Sequence, residues 1–167
     1  MSLIIFLIYL ENYTEFAKTY NISYNITNIW KRGDVWNMKN NYFYAMLSRM
    51  KYINRWGLMR NTRNENLSEH SLEVAFIAHA LGVINNEVFG GDINAERLAV
   101  LGMYHDVTEI ITGDMPTPVK YYSPYIRNAY KEVEQVANEQ MLSGLPEVLR
   151  ARYEGLLLET ENEAGLW

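Results

Sequence analysis

The sequence predicts an all-α protein. From Met38 onward, apolar residues recur at the three- and four-residue spacing of amphipathic helices, and glycines and prolines fall between these runs. No segment has the alternation of apolar and polar residues that is typical of half-buried strands, and no internal repeat is visible. We therefore expect one helical domain, which a chain of 167 residues is long enough to form.

The first predicted helices are marked by an apolar stripe and by capping residues. A stripe with i, i+3, i+4 and i+7 spacing runs through residues 42–51, and its members are Phe43, Met46, Leu47 and Met50. Ser68 is expected to cap the longest helix, which ends near Asn85, before two consecutive glycines. Asn94 is expected to cap the next helix, which runs to His105.

The second half of the chain continues in the same way. Residues 113–118 are expected to form a loop, because two prolines two positions apart do not fit inside a helix. Helices are then predicted from about Pro124 to Leu142 and from Pro146 to Leu158, with a Ser-Gly break between them.

Residues 1–37 differ in composition from the rest, because they are rich in Ile, Asn, Tyr and Thr and have no helical or strand period. Translation of AT-rich DNA gives such a composition, and the codons for residues 31–34 could form a purine-rich ribosome-binding site. We therefore interpret Met38 as the natural start and residues 1–37 as a non-native or poorly structured extension, with a genuine extension as the alternative.

A membrane is not expected as a partner. The apolar run at residues 3–10 is shorter than the roughly 20 residues that a membrane-spanning helix needs. It also lacks the basic flank and the cleavage site of a signal peptide. We expect a cytoplasmic protein.

Composition excludes several kinds of function. The chain contains no cysteine, so it has no disulfide, no thiolate nucleophile and no cysteine-ligated zinc. Its formal net charge of −5 argues against binding to a nucleic acid polymer, which normally requires a basic surface. A small phosphorylated ligand stays compatible with this charge, because it needs only one local cation or metal ion.

The three histidines limit where a metal site can lie. His105 and Asp106 are adjacent at a predicted helix end, and His70 lies near the start of the preceding helix. Imidazole and carboxylate together suit borderline divalent ions. Glu109 follows Asp106 on the same predicted helical face, where a carboxylate that is not a ligand can act as a general base. His79 lies on the face opposite His70, so we assign it a core or interface role.

Four sequence blocks carry a resemblance to a known family. They are residues 46–56, 66–71, 103–109 and 112–121, which read MLSRMKYINRW, NLSEHS, MYHDVTE and TGDMPTPVKY. In this order they closely resemble the bacterial HD-domain 5'-deoxynucleotidases, from Met38 to about Glu159. A His-Asp pair alone is a weak signal, whereas the proline-rich fourth block together with Asn-Arg-Trp is specific to that family.

The resemblance implies an all-α HD-domain bundle that removes the 5'-phosphate from deoxyribonucleoside 5'-monophosphates. It implies one divalent cation per chain (Co, Mn, Zn, Ni, Cu or Fe), held by His70, His105 and Asp106. Glu109 would activate the attacking water, and Arg55 would orient the phosphate. A homodimer is also implied. Further contacts with the substrate are implied for Trp56, His70, Asp106, Asp114, Met115, Pro116 and Thr117.

Alternatives remain at several positions. Arg55 could be a surface charge, Trp56 a core residue and Asp114 the cap of a local turn. The family completes its metal site with an Asp on a later helix, and no residue before Trp167 matches it. We therefore interpret residues 38–167 as an HD domain that is incomplete at its C-terminus, and we expect uncovered apolar surface that favours self-association.

Two other functions stay open on the sequence alone. One is an HD phosphohydrolase acting on another nucleotide, such as a cyclic nucleotide, a deoxynucleoside triphosphate or an alarmone. The other is an inactive, truncated HD fold that binds a nucleotide without turnover.

Overall fold

Helices joined by short segments make up the part of the chain that the structure describes. A computed structural model describes residues 42–57, 60 and 62–158. Within these ranges the only strand-like pairing is a single antiparallel bridge between Asn54 and Asn66. The all-α prediction is confirmed. The interpretation of residues 1–37 lies outside the described residues.

Seven α-helices and one 3-10 turn occur in the described residues. In chain order they are α1 (Phe43–Leu47), the 3-10 turn (Met50–Tyr52), α2 (Leu67–Phe89), α3 (Ala95–Tyr104), α4 (Glu109–Thr112), α5 (Thr117–Lys120), α6 (Pro124–Leu142) and α7 (Glu147–Leu157). The helix predicted at residues 42–51 is therefore two short elements. The other long helices are found close to their predicted positions.

The start of α2 differs from the prediction. Asn66 is the N-cap, and its side chain accepts the backbone N–H groups of Ser68 at 3.0 Å and Glu69 at 3.1 Å. The Glu69 carboxylate accepts the Asn66 N–H at 3.3 Å, which completes a capping box. The predicted cap at Ser68 is wrong, because the preceding Asn caps equally well and leaves Ser68 inside the helix. The box fixes the first turn, which carries His70.

The segment at residues 113–118 is only partly a loop. α5 begins at Thr117, and Pro118 is its second residue. N–H groups in the first turn of a helix have no intrahelical partner, so a proline there loses no hydrogen bond. The prediction that the prolines exclude helix is wrong at this position.

Helices α2 and α3 pack closely because small residues face each other between them. A Cβ on Gly102 would lie 2.9 Å from the Cα of Ala75, and one on Gly82 would lie 2.9 Å from the Cβ of Ala95. The start of α2 therefore lies beside the end of α3, and the two helices run antiparallel. This arrangement brings His70 towards the end of α3.

The face of α2 that does not pack on α3 is apolar and exposed. A row of apolar residues follows His70 along the helix, spaced alternately by four and three positions. We call this row the α2 stripe, and its members are Val74, Ile77, Leu81, Ile84 and Val88. The last four are between 46% and 67% exposed. These residues are exposed apolar surface, whereas the expectation that such surface results from an incomplete C-terminus stays a prediction. By length and composition α2 could also cross a membrane. This is weak evidence for a membrane-spanning helix, because core helices of soluble proteins meet the same criteria.

A buried core lies beside the start of α2. Its completely buried members come from α1, from the start of α2, from the segment before α4 and from the end of α6, and they are Phe43, Leu67, Val107, Met141 and Leu142. Tyr153 of α7 packs edge-on against Phe43, with ring centroids 4.8 Å apart. Leu67 and Val107 are close in sequence to His70 and Asp106, so the core holds the backbone that carries these side chains.

Candidate metal and active site

The three predicted metal ligands meet where α2 begins and α3 ends. One ligand atom each from His70, His105 and Asp106 lies within 4.8 Å of the other two. Asp106 Oδ2 is 2.9 Å from His105 Nε2 and 3.5 Å from His70 Nε2. The three side chains are 21%, 26% and 18% exposed, respectively. Two imidazoles and a carboxylate, partly open to solvent, form a donor set that fits a divalent transition metal.

Both imidazoles are oriented by a contact at their other ring nitrogen. His105 Nδ1 lies 2.8 Å from the carbonyl oxygen of Gly102, and since a carbonyl only accepts, Nδ1 carries the proton. Nε2 lies 2.9 Å from Asp106 Oδ2, and since a carboxylate only accepts, the protonated ring donates to Asp106 at this position, which a metal ion would occupy in place of the proton. His70 Nδ1 faces the Glu65 carboxylate at 3.5 Å. Such outer contacts are what metal-binding histidines use to fix their tautomer.

Glu65 and Gly102 were not predicted as site residues. Glu65 precedes the α2 cap without any periodic or motif signal, and Gly102 acts through its backbone carbonyl, which carries no side-chain signature. Their roles become visible only when α2 and α3 are packed.

The charges of the cluster affect one another. Burial alone would lower the pKa of His105, but the hydrogen bond and charge of Asp106 outweigh burial and raise it. Burial would raise the pKa of Asp106, but His105, Arg55 and His70 together lower it. The pKa of His70 is lowered by burial and by the charge of Arg55. Asp106 is therefore ionised and ready to accept a cation at neutral pH.

Arg55 lies inside this cluster. Its Nη1 donates to Asp106 Oδ2 at 2.8 Å, and its Nε lies 3.8 Å from the Glu65 carboxylate. The backbone N–H of Arg55 also donates to the Glu65 carbonyl at 2.9 Å. Since the side chain is 15% exposed, the alternative of a solvated surface charge is wrong.

Glu109 begins α4 and is 9% exposed. Helix α3 ends before it, so Glu109 reaches the site through a turn in which its N–H donates to the Asp106 carbonyl at 3.0 Å. Its Oε2 is buried and has no hydrogen-bond partner among the residues that the structure describes. Burial, with help from the charges of Asp106 and Asp114, raises the pKa of Glu109 to about 8, against the opposing charges of Arg55 and Lys120. A buried carboxyl oxygen without a partner beside a ligand cluster is suited to binding water or a cation.

Asp114 and Trp56 contact each other directly. Asp114 Oδ2 accepts the backbone N–H of Trp56 at 2.5 Å, across 58 positions of sequence. Trp56 has φ of 56°, a left-handed conformation that bulky residues rarely adopt. Trp56 is 36% exposed, so the core alternative is wrong, and Asp114 is not the cap of a local turn. This contact draws the segment before α5 towards Arg55.

The remaining predicted residues lie further along the same segment. Met115 and Pro116 are partly buried and Thr117 is exposed, and their contacts with a substrate stay predictions. His79 is exposed on α2 and is not part of the cluster. Its separation from His70 agrees with the helical prediction, whereas a core role for His79 is wrong.

A His70, His105-Asp106 cluster formed by antiparallel helix ends in a helical bundle defines the HD-domain class. The crystal structure of an HD-domain phosphohydrolase from Listeria innocua is similar, with a TM-score of 0.65 and 26% sequence identity over 74% of this chain and 60% of that one. The sequence profile of the family described as 5'-deoxynucleotidase YfbR-like matches residues 42–166. The chain belongs to this family.

Curated relatives share more than half of their aligned residues with the chain. A 5'-deoxynucleotidase of Photorhabdus laumondii is 54% identical over 121 residues, which are 72% of this chain and 61% of the relative. One of Pectobacterium atrosepticum is 55% identical over 120 residues, which are 72% of this chain and 60% of the relative. The chain therefore spans about three fifths of the length of these relatives.

Proposed function

We propose that the chain is the metal-binding part of a phosphohydrolase that removes the 5'-phosphate from deoxyribonucleoside 5'-monophosphates. The observation that carries this proposal is the convergence of Arg55, His70 and His105 on Asp106 Oδ2. The buried carboxyl of Glu109 follows one turn later. The names of the curated relatives support the substrate class.

One divalent cation per chain is proposed, with Co, Mn, Zn, Ni, Cu or Fe as candidates, because imidazole and carboxylate donors suit ions of intermediate softness. His70, His105 and Asp106 would hold it, since their ligand atoms already lie within 4.8 Å of one another. When bound, the cation would supply Lewis-acid charge that polarises the phosphoryl oxygen, makes water more acidic and favours the ionised form of Glu109.

Each side chain at the site has a defined task in the proposed reaction. The planar guanidinium of Arg55 can grip two oxygens of the phosphate, and His70 and Asp106 border the same group. Ionised Glu109 accepts a proton from water as the water oxygen bonds to phosphorus and the bond from phosphorus to the 5'-oxygen breaks. The 5'-oxygen takes up a proton, so that the products are the deoxynucleoside and inorganic phosphate.

Trp56 and Asp114 are proposed to contact the nucleoside. The partly exposed ring of Trp56 offers a flat apolar surface for the sugar or base. A carboxylate has two acceptor oxygens, so Asp114 can hold the Trp56 N–H and a substrate donor at the same time. Met115, Pro116 and Thr117 extend this subsite along the chain.

Phosphate release tests the proposal. We expect the chain to release phosphate from dAMP when manganese or cobalt is added, and more slowly from AMP, a cyclic nucleotide or a deoxynucleoside triphosphate. Faster turnover of one of the other nucleotides would favour the alternative function, an HD phosphohydrolase that acts on a different nucleotide. Stoichiometric binding of dAMP without phosphate release, in the presence of each metal, would favour a nucleotide-binding protein that is not an enzyme.

We further propose a homodimer in which the α2 stripes of two copies pack together. The alternation of three and four positions is the spacing at which paired helices bury their apolar residues. Pairing would remove this exposed apolar surface from water, and the hydrophobic effect would therefore drive the association.

Light scattering after size-exclusion chromatography tests the dimer. Leu81→Glu, at the middle of the stripe, should convert a dimer into a monomer. The matched control is Val136→Glu, at an exposed valine of α6, which should leave the dimer intact. A monomeric parent, or a Leu81→Glu variant that stays dimeric, contradicts the proposal.

The other parts of the proposal come from the sequence. The partner is a small nucleotide and not a nucleic acid polymer, because the net charge is −5. A cytoplasmic location without membrane attachment completes the proposal, and fractionation of cells that express the native gene tests it.

A further inference from the structure

The short helix α4 carries Glu109 but has little to hold it in place by itself. It has four residues, and its N-cap Thr108 makes no side-chain capping hydrogen bond. Helices of this length are not stable alone, because the first turn fixes several backbone angles for one hydrogen bond. The position of Glu109 therefore depends on contacts between α4 and other elements. Ile110 supplies the apolar part of these contacts from within the core.

A polar contact joins the end of α4 to α6. The hydroxyl of Thr112 lies within donating distance of two carbonyl oxygens, that of Gly113 at 3.1 Å and that of Thr108 at 3.4 Å. Thr112 Oγ1 also lies 3.3 Å from the Tyr130 hydroxyl. Because the single hydroxyl proton of Thr112 is directed to a carbonyl, Tyr130 is the donor in this second bond. Tyr130 is buried, so its hydroxyl can form this bond only while its ring stays in place.

Lys120 of α5 holds the Tyr130 ring. Its Nζ lies 4.7 Å from the centroid of the ring, within the range of a cation–π interaction. The same Nζ donates to Glu134 Oε1 at 2.7 Å, and Glu134 lies one turn after Tyr130 on α6. Since both members of the ion pair are partly exposed, the pair contributes little to global stability. Its effect is to fix the Lys120 ammonium over the ring.

We propose that Lys120 is a positioning residue for Glu109: fixed by Glu134 over the ring of Tyr130, it keeps the Tyr130 hydroxyl on Thr112 and so braces the helix that carries the carboxyl. This proposal rests on the proposed function only for the role of Glu109 in catalysis. The brace itself concerns the position of α4.

Hydrogen exchange in the full chain tests the brace without any need for activity. The amides of Ile111, Thr112 and Gly113 donate to carbonyls of Thr108 and Glu109, so their exchange reports on α4. Lys120→Met and Tyr130→Phe should each accelerate this exchange about fivefold, the factor for loss of one ordinary hydrogen bond. Exchange of the α2 amides should not change.

Two further variants make the test specific. Lys120→Arg keeps a cation over the ring and should restore slow exchange. Lys131→Met removes an exposed lysine next to Tyr130 on α6 and should have no effect. Normal exchange of α4 in Lys120→Met overturns the proposal, and so does accelerated exchange in Tyr130→Phe alone, because Lys120 would then have no part in the brace.

The kinetic arm separates the brace from the proposed function. With dAMP and manganese, Lys120→Met should lower kcat about tenfold and leave KM unchanged, because a displaced base affects the reaction and not the binding of substrate. An effect on KM alone overturns the positioning role. A parent chain without turnover contradicts the proposed function instead, and the exchange measurement then decides the brace alone.

Discussion

The Cα of Ala75 on α2 lies so close to Gly102 on α3 that a Cβ added to the glycine would come within 2.9 Å of it. His70 lies five positions before Ala75, and His105 lies three positions after Gly102. The close approach of the two backbones therefore sets the distance between the two imidazoles, whose ring centroids are 5.2 Å apart. The smallest residue on α3 is thus part of what forms the ligand cluster.

Replacing this glycine should destabilise the fold. The new methyl group of Gly102→Ala would meet backbone atoms of Ala75 and Val74, which cannot rotate away, so we expect a loss of about 1–3 kcal/mol in urea unfolding. Gly155→Ala is the matched control, because its Cβ would meet only the end of the Arg97 side chain at 3.5 Å. The control should gain up to about 1 kcal/mol from helix propensity. Equal free energies of unfolding for the two variants would argue against close packing of α2 on α3 at Gly102.

Metal binding should depend on His105 and not on His79. His105→Ala removes one of the few ligands of the cluster, so we expect elemental analysis to find less than about a tenth of the stoichiometric metal. His79→Ala changes an exposed histidine on α2 that is outside the cluster and should keep full metal content. Retention of metal by His105→Ala would remove this residue from the ligand set.

Glu109 should matter for rate and little for metal content. A general base typically contributes a factor of about 10² to 10⁴, so Glu109→Gln should lower phosphate release from dAMP by that order. Elemental analysis should show parent-like metal, because Glu109 is not among the three ligands. The exposed Glu132 of α6 provides the control Glu132→Gln, with unchanged rate. A Glu109→Gln rate within a few-fold of the parent would limit Glu109 to a structural role.

The stability of the metal-free protein should depend on the pH through Glu109. Its pKa is raised from 4.5 to about 8 on folding, mainly by burial, so the folded chain holds a proton that the unfolded chain releases between these values. The contribution of Glu109 to the free energy of unfolding is therefore greatest at low pH and falls as the pH rises from 4.5 to about 8. In the presence of a chelator, the Tm of Glu109→Gln relative to the parent should rise by about 10 °C over this range. A constant difference in Tm would mean that Glu109 titrates normally.

The sequence predicted the helices well where the pattern is local. The cap at Asn94, the start of α6 at Pro124 and the break at Gly90 follow from residue types that favour those backbone conformations. The error at the start of α2 arose because Asn66 and Ser68 are both good caps, and the choice depends on the extended backbone at Asn66. The predicted end of α2 near Asn85 is too early, because the helix continues to Phe89. The last turn buries almost no side chain, so burial gives no pattern there from which the end could be predicted.

The ligands could be predicted from spacing and family resemblance, but their partners could not. Glu65, Gly102 and Lys120 act through contacts that exist only after helices have packed, and none of them belongs to a periodic pattern. The contact between Trp56 and Asp114 joins the first and the fourth of the four sequence blocks, which lie far apart in sequence. The residue types of these blocks indicate a substrate subsite. The left-handed backbone of Trp56 could not be predicted from the sequence and is seen only in the structure.

His70 and the α2 stripe lie on one side of the same rigid helix, so a metal ion and a second copy of the chain would bind to one continuous surface. Thermodynamic linkage makes any coupling between them reciprocal: if pairing tightens metal binding by some factor, the metal tightens pairing by the same factor. The dissociation constant of the dimer would then vary with the concentration of free metal. In that case a chelator would weaken the proposed dimer without contacting its interface, and the oligomeric state of the chain would depend on its metal supply.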